Sequence, residues 1–182
     1  MRLVDAVNLG QRERTVSLAA ELCGGTPAGR SVTVLGASFK PDTDDIRDSP
    51  ALDVADRLAA AGAHVTVTDP KAVNLAWRRY PRLRFEASTD KAIQDTELVL
   101  LLTEWDEYRQ LCPAAAGQRV RRRVVLDARN VLDAAAWQKE GWVVRGLGTY
   151  PGPSSPSSAK ASATPLPAGG AVTLSATART AG

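Results

Sequence analysis

Short apolar stretches rich in β-branched residues alternate along the chain with longer stretches in which apolar residues recur at helical spacing. The short stretches predict strands at 31–35, 64–68, 83–86, 97–102 and 124–127, with an edge strand at 143–145. The longer stretches predict helices at 51–61, 88–95 and 133–139, and a further helix that begins near Ala72. Strands that alternate with helices are typical of a parallel sheet covered on both faces, so an α/β fold is predicted.

The first residues carry a separate helical pattern. Apolar positions between residues 2 and 22 follow helical spacing, Gly10 is the weakest point, and Cys23-Gly24-Gly25 ends the pattern. Because no N-cap residue precedes Leu3, the helix is expected to start in mid-pattern. We therefore predict a Rossmann-like three-layer parallel sheet with flanking helices at 30–149, preceded by one connector helix at 1–24. A helix that simply covers one face of the sheet is the alternative.

Composition changes near residue 150. From Pro151 onward the chain is rich in Pro, Ser, Ala, Gly and Thr, and its large apolar residues are only Leu166, Val172 and Leu174. Such a segment cannot bury enough apolar surface to offset the entropy of ordering it. Residues 150–182 are therefore predicted to be a disordered tail.

Charge and cysteine content narrow the classes of protein. Of the net charge of +3, the tail contributes +2, because Lys160 and Arg179 have no acidic residue beside them there. The folded part is thus nearly neutral, which argues against a nucleic-acid partner, and the basic run 119–123 is most simply a solvated approach to a strand. Two cysteines do not make a disulfide framework, and no stretch approaches the roughly 18 apolar residues of a membrane span. A cytoplasmic protein without membrane contact is predicted.

The loop between the first predicted strand and helix carries the most distinctive chemistry. Ser49 is a natural N-cap and Pro50 suits the first helical position, so the loop lies at the carboxyl end of a strand, where open α/β sheets bind ligands. It holds Lys40 and Arg47 among four aspartates. The alternatives are a cation pair that contacts an anionic ligand and a tight turn held by Asx-type bonds, with the cations only balancing charge. A calcium loop is disfavoured because the required Gly and Glu positions are not matched.

A second cation follows another strand. Arg129 comes just after 124–127, so it and Lys40 lie on the same edge of a parallel sheet and make a plausible diphosphate site. An ion pair of Arg129 with Asp127 or Asp133 is the alternative. Asp69, which ends the second strand, suits either a ribose contact or a helix cap.

The dinucleotide fingerprint fails in this chain. Ser38 and Pro41 occupy two of the glycine places of G-x-G-x-x-G, so a standard NAD-binding half is not expected. Trp105, just after the apolar run 97–102, is more typical of a core residue than of a ligand platform.

Several segments, in order, resemble the UDP-glucose/GDP-mannose dehydrogenase family, over about residues 1–150. The segment Phe39-Lys40-Pro41-Asp42-Thr43-Asp44-Asp45-Ile46-Arg47-Asp48-Ser49-Pro50 is similar to the signature that opens the C-terminal domain of those enzymes. Further similar pieces are Val65 to Ala72, Thr103 to Tyr108, Val125 to Asn130, and Gly141-Trp142 to Gly146-Leu147-Gly148.

The resemblance implies a substrate half-site. In the family the C-terminal domain binds the nucleotide end of a UDP- or GDP-sugar, the N-terminal domain binds NAD, and the 6-hydroxyl is oxidised in two steps to a carboxylate. Carried over by position, Phe39 and Lys40 would contact the UDP-sugar, Arg129 would contact the substrate, and Arg47 would reach the NAD phosphate. One departure is Ala128, where the family usually has glycine, and it would restrict a turn that needs a positive φ.

The resemblance also implies which parts of the family's enzymes this chain would contain and which it would lack. The family's long central helix joins the two domains and carries a dimer contact, and residues 1–24 look like its last turns, so a homo-oligomer is expected. The family's cysteine nucleophile lies in a glycine-rich segment upstream, and neither Cys23 nor Cys112 matches its setting. The chain is therefore expected to be the substrate-binding part of a UDP-glucose 6-dehydrogenase-like enzyme, inactive without an N-terminal dehydrogenase half. A stand-alone nucleotide-binding or regulatory module, without catalysis, is the alternative.

Overall fold

The computed structural model describes residues 2–148, and the predicted tail at 150–182 lies outside them. Six strands form one sheet: β1 Ser31–Leu35, β2 His64–Thr68, β3 Arg84–Phe85, β4 Leu98–Leu101, β5 Val124–Asp127 and β6 Val143–Gly146. The helices are α1 Arg2–Leu22, α2 Pro50–Ala60, α3 Val73–Arg79, α4 Thr89–Ala92, α5 Asp106–Arg109, α6 Pro113–Arg119 and α7 Ala134–Lys139.

The sheet is parallel and doubly wound. Its order is β3-β2-β1-β4-β5-β6, with β1 between β2 and β4. Strands β4 and β5 are buried along their whole length, as expected for apolar runs covered by helices on both faces. The predicted Rossmann-like α/β fold is confirmed. The order reverses between β1 and β4, and the ends of these strands frame the crevice that such sheets use for ligands.

The two faces of the sheet carry separate apolar clusters. On one face, α1 and α2 pack through residues such as Ala19, Leu52 and Leu58. On the other, the aromatic side chains of Trp105, Tyr108, Trp137 and Trp142 fill the space over β4, β5 and β6. Trp137 and Trp142 meet edge to face, with ring centroids 4.7 Å apart. These two layers, with the sheet between them, give the three-layer arrangement that the sequence predicts.

Local signals place the start of α2 correctly. The Ser49 hydroxyl accepts a hydrogen bond from the Leu52 amide at 3.3 Å and donates one to the Ala37 carbonyl at 2.6 Å, and Pro50 occupies the first turn. The cap therefore also ties the end of the loop to its beginning.

Helix α1 spans the predicted residues and runs through Gly10, because a single glycine lowers helix propensity by only about 1 kcal/mol. Other details differ from the sequence predictions. Strand β3, which pairs with β2, is shorter than the predicted 83–86. Helices α5 and α6, which connect β4 to β5, are not among the helices predicted from the sequence.

Candidate functional site

A cleft of about 350 Å³ opens where the carboxyl ends of β1, β4 and β5 meet α1 and the start of α2. The loop after β1 contributes Phe39 and Lys40, and the loop after β5 contributes Arg129. The structure thus brings together the three residues that the sequence predicts for substrate contact. The remaining wall comes from Gln11, Arg12 and Thr15 of α1, Pro50, Ala51 and Val54 of α2, and Leu102, Ala128 and Leu147.

A buried carboxylate shapes the loop that carries Lys40. Asp69 is 3% exposed, and its Oδ2 accepts hydrogen bonds from the amides of Ala37 and Ser38 and from the Ser38 hydroxyl at 2.8 to 2.9 Å. Its Oδ1 accepts from the amides of Lys71 and Ala72. These are all contacts within the protein, so Asp69 organises two loops and is not free to read a ribose. The helix cap open from the sequence is not observed, because Ala72 is the N-cap residue of α3 and no side chain caps that helix; Asp69 instead forms an Asx-type turn just before it.

Trp105 belongs to the same buried network. Its indole N–H lies 3.2 Å from both the Ser38 hydroxyl and Asp69 Oδ2, and the side chain is 6% exposed. The sequence interpretation of Trp105 as a core residue is therefore correct. Ser38, at the place of a fingerprint glycine, uses its side chain to close this network.

Phe39 and Lys40 project from the loop that Asp69 supports. The Phe39 amide donates to the Asp45 carbonyl at 2.8 Å, while its ring is 49% exposed beside the cleft. Within residues 2–148, the Lys40 ammonium has no hydrogen bond or ion pair. An exposed ring and an uncommitted ammonium at one opening suit a ligand with a planar part and an anionic part.

Arg129 sits on a turn that Asp127 builds. The carboxylate of Asp127, fully buried, accepts from the amides of Arg129, Val131 and Leu132 at 2.8 to 3.0 Å. Ala128 is not among the described residues with positive φ, whereas Asn130 is, at +55°. The turn therefore tolerates alanine at 128.

The ion pair of Arg129 differs from both alternatives in the sequence interpretation. Asp127 serves the backbone, and Asp133 caps α7 by accepting from the Ala136 amide. Arg129 Nε instead donates to the Leu102 carbonyl at 2.8 Å and lies 2.9 Å from Glu104 Oε2. Both contacts come from the segment after β4, which sequence order does not reveal.

Arg47 does not line the cleft. Its side chain is 87% exposed and pairs with Asp45, whose carboxylate accepts from the Arg47 backbone amide and from Nε and Nη2 at 2.8 to 3.0 Å. These hydrogen bonds lower the pKa of Asp45 to about 2 and raise the pKa of Arg47. The Asx-type turn is thus observed at Asp45, and Arg47 borders separate depressions beside α3.

Sequence reasoning missed the contribution of α1 to the cleft. Arg12 donates to the Asp48 carbonyl at 3.2 Å and lies 3.6 Å from Asp53, so it is held between α1, the loop and α2. Gln11 and Thr15 lie on the same helical face one turn apart, which is the only sequence signal that groups them.

The charges of the cleft favour an anion. Arg12, Lys40 and Arg129 supply three cations, with Glu104 and Asp53 as partial counter-charges. Neither thiol joins them: Cys23 is buried at the end of α1, where burial raises its pKa, and Cys112 is exposed before α6. Across residues 2–148 no metal-binding cluster is present, and no helix has the length and apolarity needed to cross a bilayer.

Comparison with known proteins agrees with this geometry. Residues 33–134 match the UDP-glucose/GDP-mannose dehydrogenase family, UDP binding domain. UDP-glucose 6-dehydrogenase YwqF of Bacillus subtilis is 34% identical over 131 residues, which are 71% of this chain and 30% of the relative. UDP-glucose 6-dehydrogenase of Pseudomonas aeruginosa is 32% identical over 154 residues, covering 81% of this chain and 34% of the relative.

Solved structures show the same relationship. A UDP-glucose dehydrogenase from the archaeon Pyrobaculum islandicum superposes with a TM-score of 0.68 at 32% identity, over 80% of this chain and 31% of that protein. The chain therefore spans about a third of the length of the relatives it matches. Because the match extends over more than half of its residues, the chain belongs to the UDP-glucose/GDP-mannose dehydrogenase family and corresponds to its UDP binding domain.

Proposed function

We propose that this chain binds the nucleotide end of a UDP-sugar in the cleft between β1, β4, β5 and α1, as the substrate-binding part of a UDP-glucose 6-dehydrogenase-like enzyme. The observation that carries the proposal is the convergence of Phe39, Lys40 and Arg129 on one cleft of about 350 Å³. The two cations come from loops after different strands, and both have donors without partners among residues 2–148.

Each residue has a distinct role in the proposed complex. The Lys40 ammonium acts as a point charge on the diphosphate, and the Arg129 guanidinium supplies paired N–H donors. The half-exposed Phe39 ring packs on the planar or sugar portion of the ligand. The proposal assigns no catalytic residue to this chain.

The reaction of the whole enzyme is proposed to need a second half. An N-terminal dehydrogenase half would supply NAD and the cysteine nucleophile, and Arg47, exposed outside the cleft, would contact the NAD phosphate from this side. Among the described residues, only Arg47 fits a contact with NAD. Ser38 and Asp69 stand where a dinucleotide fingerprint would have a glycine and its acidic residue, but they hydrogen-bond to each other. NAD would accept hydride when bound to the other half. Helix α1 is the proposed homo-oligomer contact.

Calorimetric titration with UDP, UDP-glucose and GDP-mannose tests the binding proposal. We expect binding of the uridine nucleotides, and a loss of roughly 10- to 100-fold in affinity for Lys40→Ala and for Arg129→Ala, as for removal of charge-assisted hydrogen bonds. Lys139→Ala is the matched control, since Lys139 is exposed at the end of α7, away from the cleft. Undiminished UDP affinity in both cleft variants would contradict the proposed site.

A second candidate is a stand-alone nucleotide-binding or regulatory module. The unpaired Lys40 ammonium in the cleft supports this candidate as well as the first one, because nucleotide binding alone would not require an N-terminal dehydrogenase half. Tight UDP binding by the isolated chain, unchanged when an N-terminal dehydrogenase half is added, would favour this candidate.

A further inference from the structure

Arg129 is anchored along one edge of its guanidinium. Nε donates to the Leu102 carbonyl at 2.8 Å, and Glu104 Oε2 lies 2.9 Å from the same nitrogen. Within residues 2–148 the two terminal nitrogens of Arg129 have no hydrogen-bond partner. The guanidinium is therefore held through Nε, and its two terminal nitrogens can donate hydrogen bonds to a ligand in the cleft that Arg129 lines.

The Glu104 carboxylate restricts the rotation of the Arg129 guanidinium in a way that the Leu102 carbonyl alone does not. A single N–H···O=C bond leaves the guanidinium plane free to rotate about that bond, and a second contact at the same edge restricts the rotation. Glu104 Oε2 is itself sealed from solvent and accepts no aligned hydrogen bond, while the side chain as a whole is 31% exposed. Within the described chain Arg129 is its sole cationic partner.

We propose that Glu104 is a positioning residue that orients Arg129 for bidentate contact with the diphosphate of the bound nucleotide. This inference rests on the proposed function for the identity of the anion. Bidentate recognition depends on the direction of a planar fork, whereas Lys40, as a point charge, needs no such orientation. Glu104 would therefore act on affinity through Arg129 and not through Lys40.

Electrostatic repulsion between Glu104 and the diphosphate opposes the proposed orienting effect, so the two can be told apart by experiment. A carboxylate close to the site also repels an incoming diphosphate, so removing its charge would tighten binding if orientation were unimportant. The two effects have opposite signs in the same variant, Glu104→Gln, which keeps the size of the side chain. Asp106→Asn is the matched control, because Asp106 follows in the same segment, carries the same charge and is 85% exposed.

The affinities for UDP and for uridine, which lacks phosphate, separate orientation from structure. We expect Glu104→Gln to weaken UDP binding roughly tenfold, in the range of coupling between contacting residues, and to leave uridine binding and Asp106→Asn unchanged. In an Arg129→Ala background, Glu104→Gln should no longer weaken UDP binding, because only the repulsion of the diphosphate by Glu104 is left to remove. Tighter UDP binding, or equal losses for UDP and uridine, would overturn the inference.

A measurement without ligand keeps the inference testable if UDP does not bind. In NMR spectra the Arg129 Nε–Hε group should be ordered and protected from exchange in the parent chain and in Asp106→Asn, and more mobile in Glu104→Gln. An equally ordered Nε–Hε group in Glu104→Gln would refute the positioning role. Absence of UDP binding together with the expected Nε–Hε result would refute the proposed function alone.

Discussion

At the scale of single residues, buried carboxylates decide the shape of the cleft. Asp69, just after β2, accepts hydrogen bonds from amides of the loop after β1, and Asp127, at the end of β5, accepts them from amides of the loop after β5. Those loops carry Lys40 and Arg129 to the cleft. Because a carboxylate that accepts several hydrogen bonds holds its donors in one arrangement, the cations are placed by groups that do not themselves face the ligand.

Gly36, just after β1, lets the backbone pass closer to Thr103 than a residue with a side chain could. Its φ is +105°, and a Cβ there would lie 2.4 Å from both Cβ and Oγ1 of Thr103. We expect Gly36→Ala to lower the free energy of unfolding by about 3 kcal/mol or more, because strain and overpacking add. Gly10→Ala is the matched control: nothing lies within 4 Å of its added Cβ, and in mid-helix it should stabilise by about 1 kcal/mol. Urea unfolding of both variants measures the difference, and similar stabilities would contradict this account.

At the scale of elements, α1 acts as a wall of the cleft as well as a cover for the sheet. Its inner face contributes Ala19 to the core and Thr15 to the cleft. Arg122 donates to the Leu22 carbonyl at 3.4 Å, which satisfies one group at the helix end. The helix therefore connects the stability of the fold to the shape of the site.

Arg12 is the polar connection between α1 and α2. It contacts the Asp48 carbonyl and Asp53, and Asp53 also pairs with Arg57 at 3.1 Å. We expect Arg12→Ala to lower the free energy of unfolding by about 1 to 2 kcal/mol, because it removes a partly buried charge from two acceptors. Arg14→Ala, on an exposed part of the same helix, should change it by less than about 0.5 kcal/mol. Thermal and urea unfolding give both values, and equal effects would show that α1 does not depend on this contact.

At the scale of the whole molecule, the chain covers only part of its relatives' length. The match spans about 30% of the relatives, and the cleft holds cations without a thiol nearby. Under the proposed function, substrate binding and chemistry are divided between two halves of the enzyme. The cytoplasmic location, the lack of a nucleic-acid partner and the homo-oligomer stay predictions.

The division of labour predicts an activity that depends on assembly. With UDP-glucose and NAD, the pure chain should produce no NADH detectable by absorbance, because it has no dinucleotide fingerprint to bind NAD for hydride transfer and no activated thiolate for the aldehyde step. Addition of an N-terminal dehydrogenase half should restore NADH formation, and Lys40→Ala should reduce it in the assembled enzyme. NADH produced by the chain alone would show that the chemistry resides here.

The sequence by itself determined the α/β class, most of the helices and strands, and the edge of the sheet on which Lys40 and Arg129 lie. Periodicity reports local burial, and Ser49 with Pro50 starts α2 through contacts within a few residues. Parallel strands then place Lys40 and Arg129 on one edge whatever the details of packing. The family signature added the roles expected of Phe39 and Arg47.

Only the tertiary structure decided which groups meet. Glu104 pairs with Arg129, Asp69 holds Ser38, and Arg12 reaches Asp48, although each pair is distant along the chain. A carboxylate near several cations in sequence has many local partners, and the choice among them depends on sheet order and loop packing, which no local pattern encodes. Arg47, by contrast, is held by a local contact: it pairs with Asp45, two residues away, and lies outside the cleft.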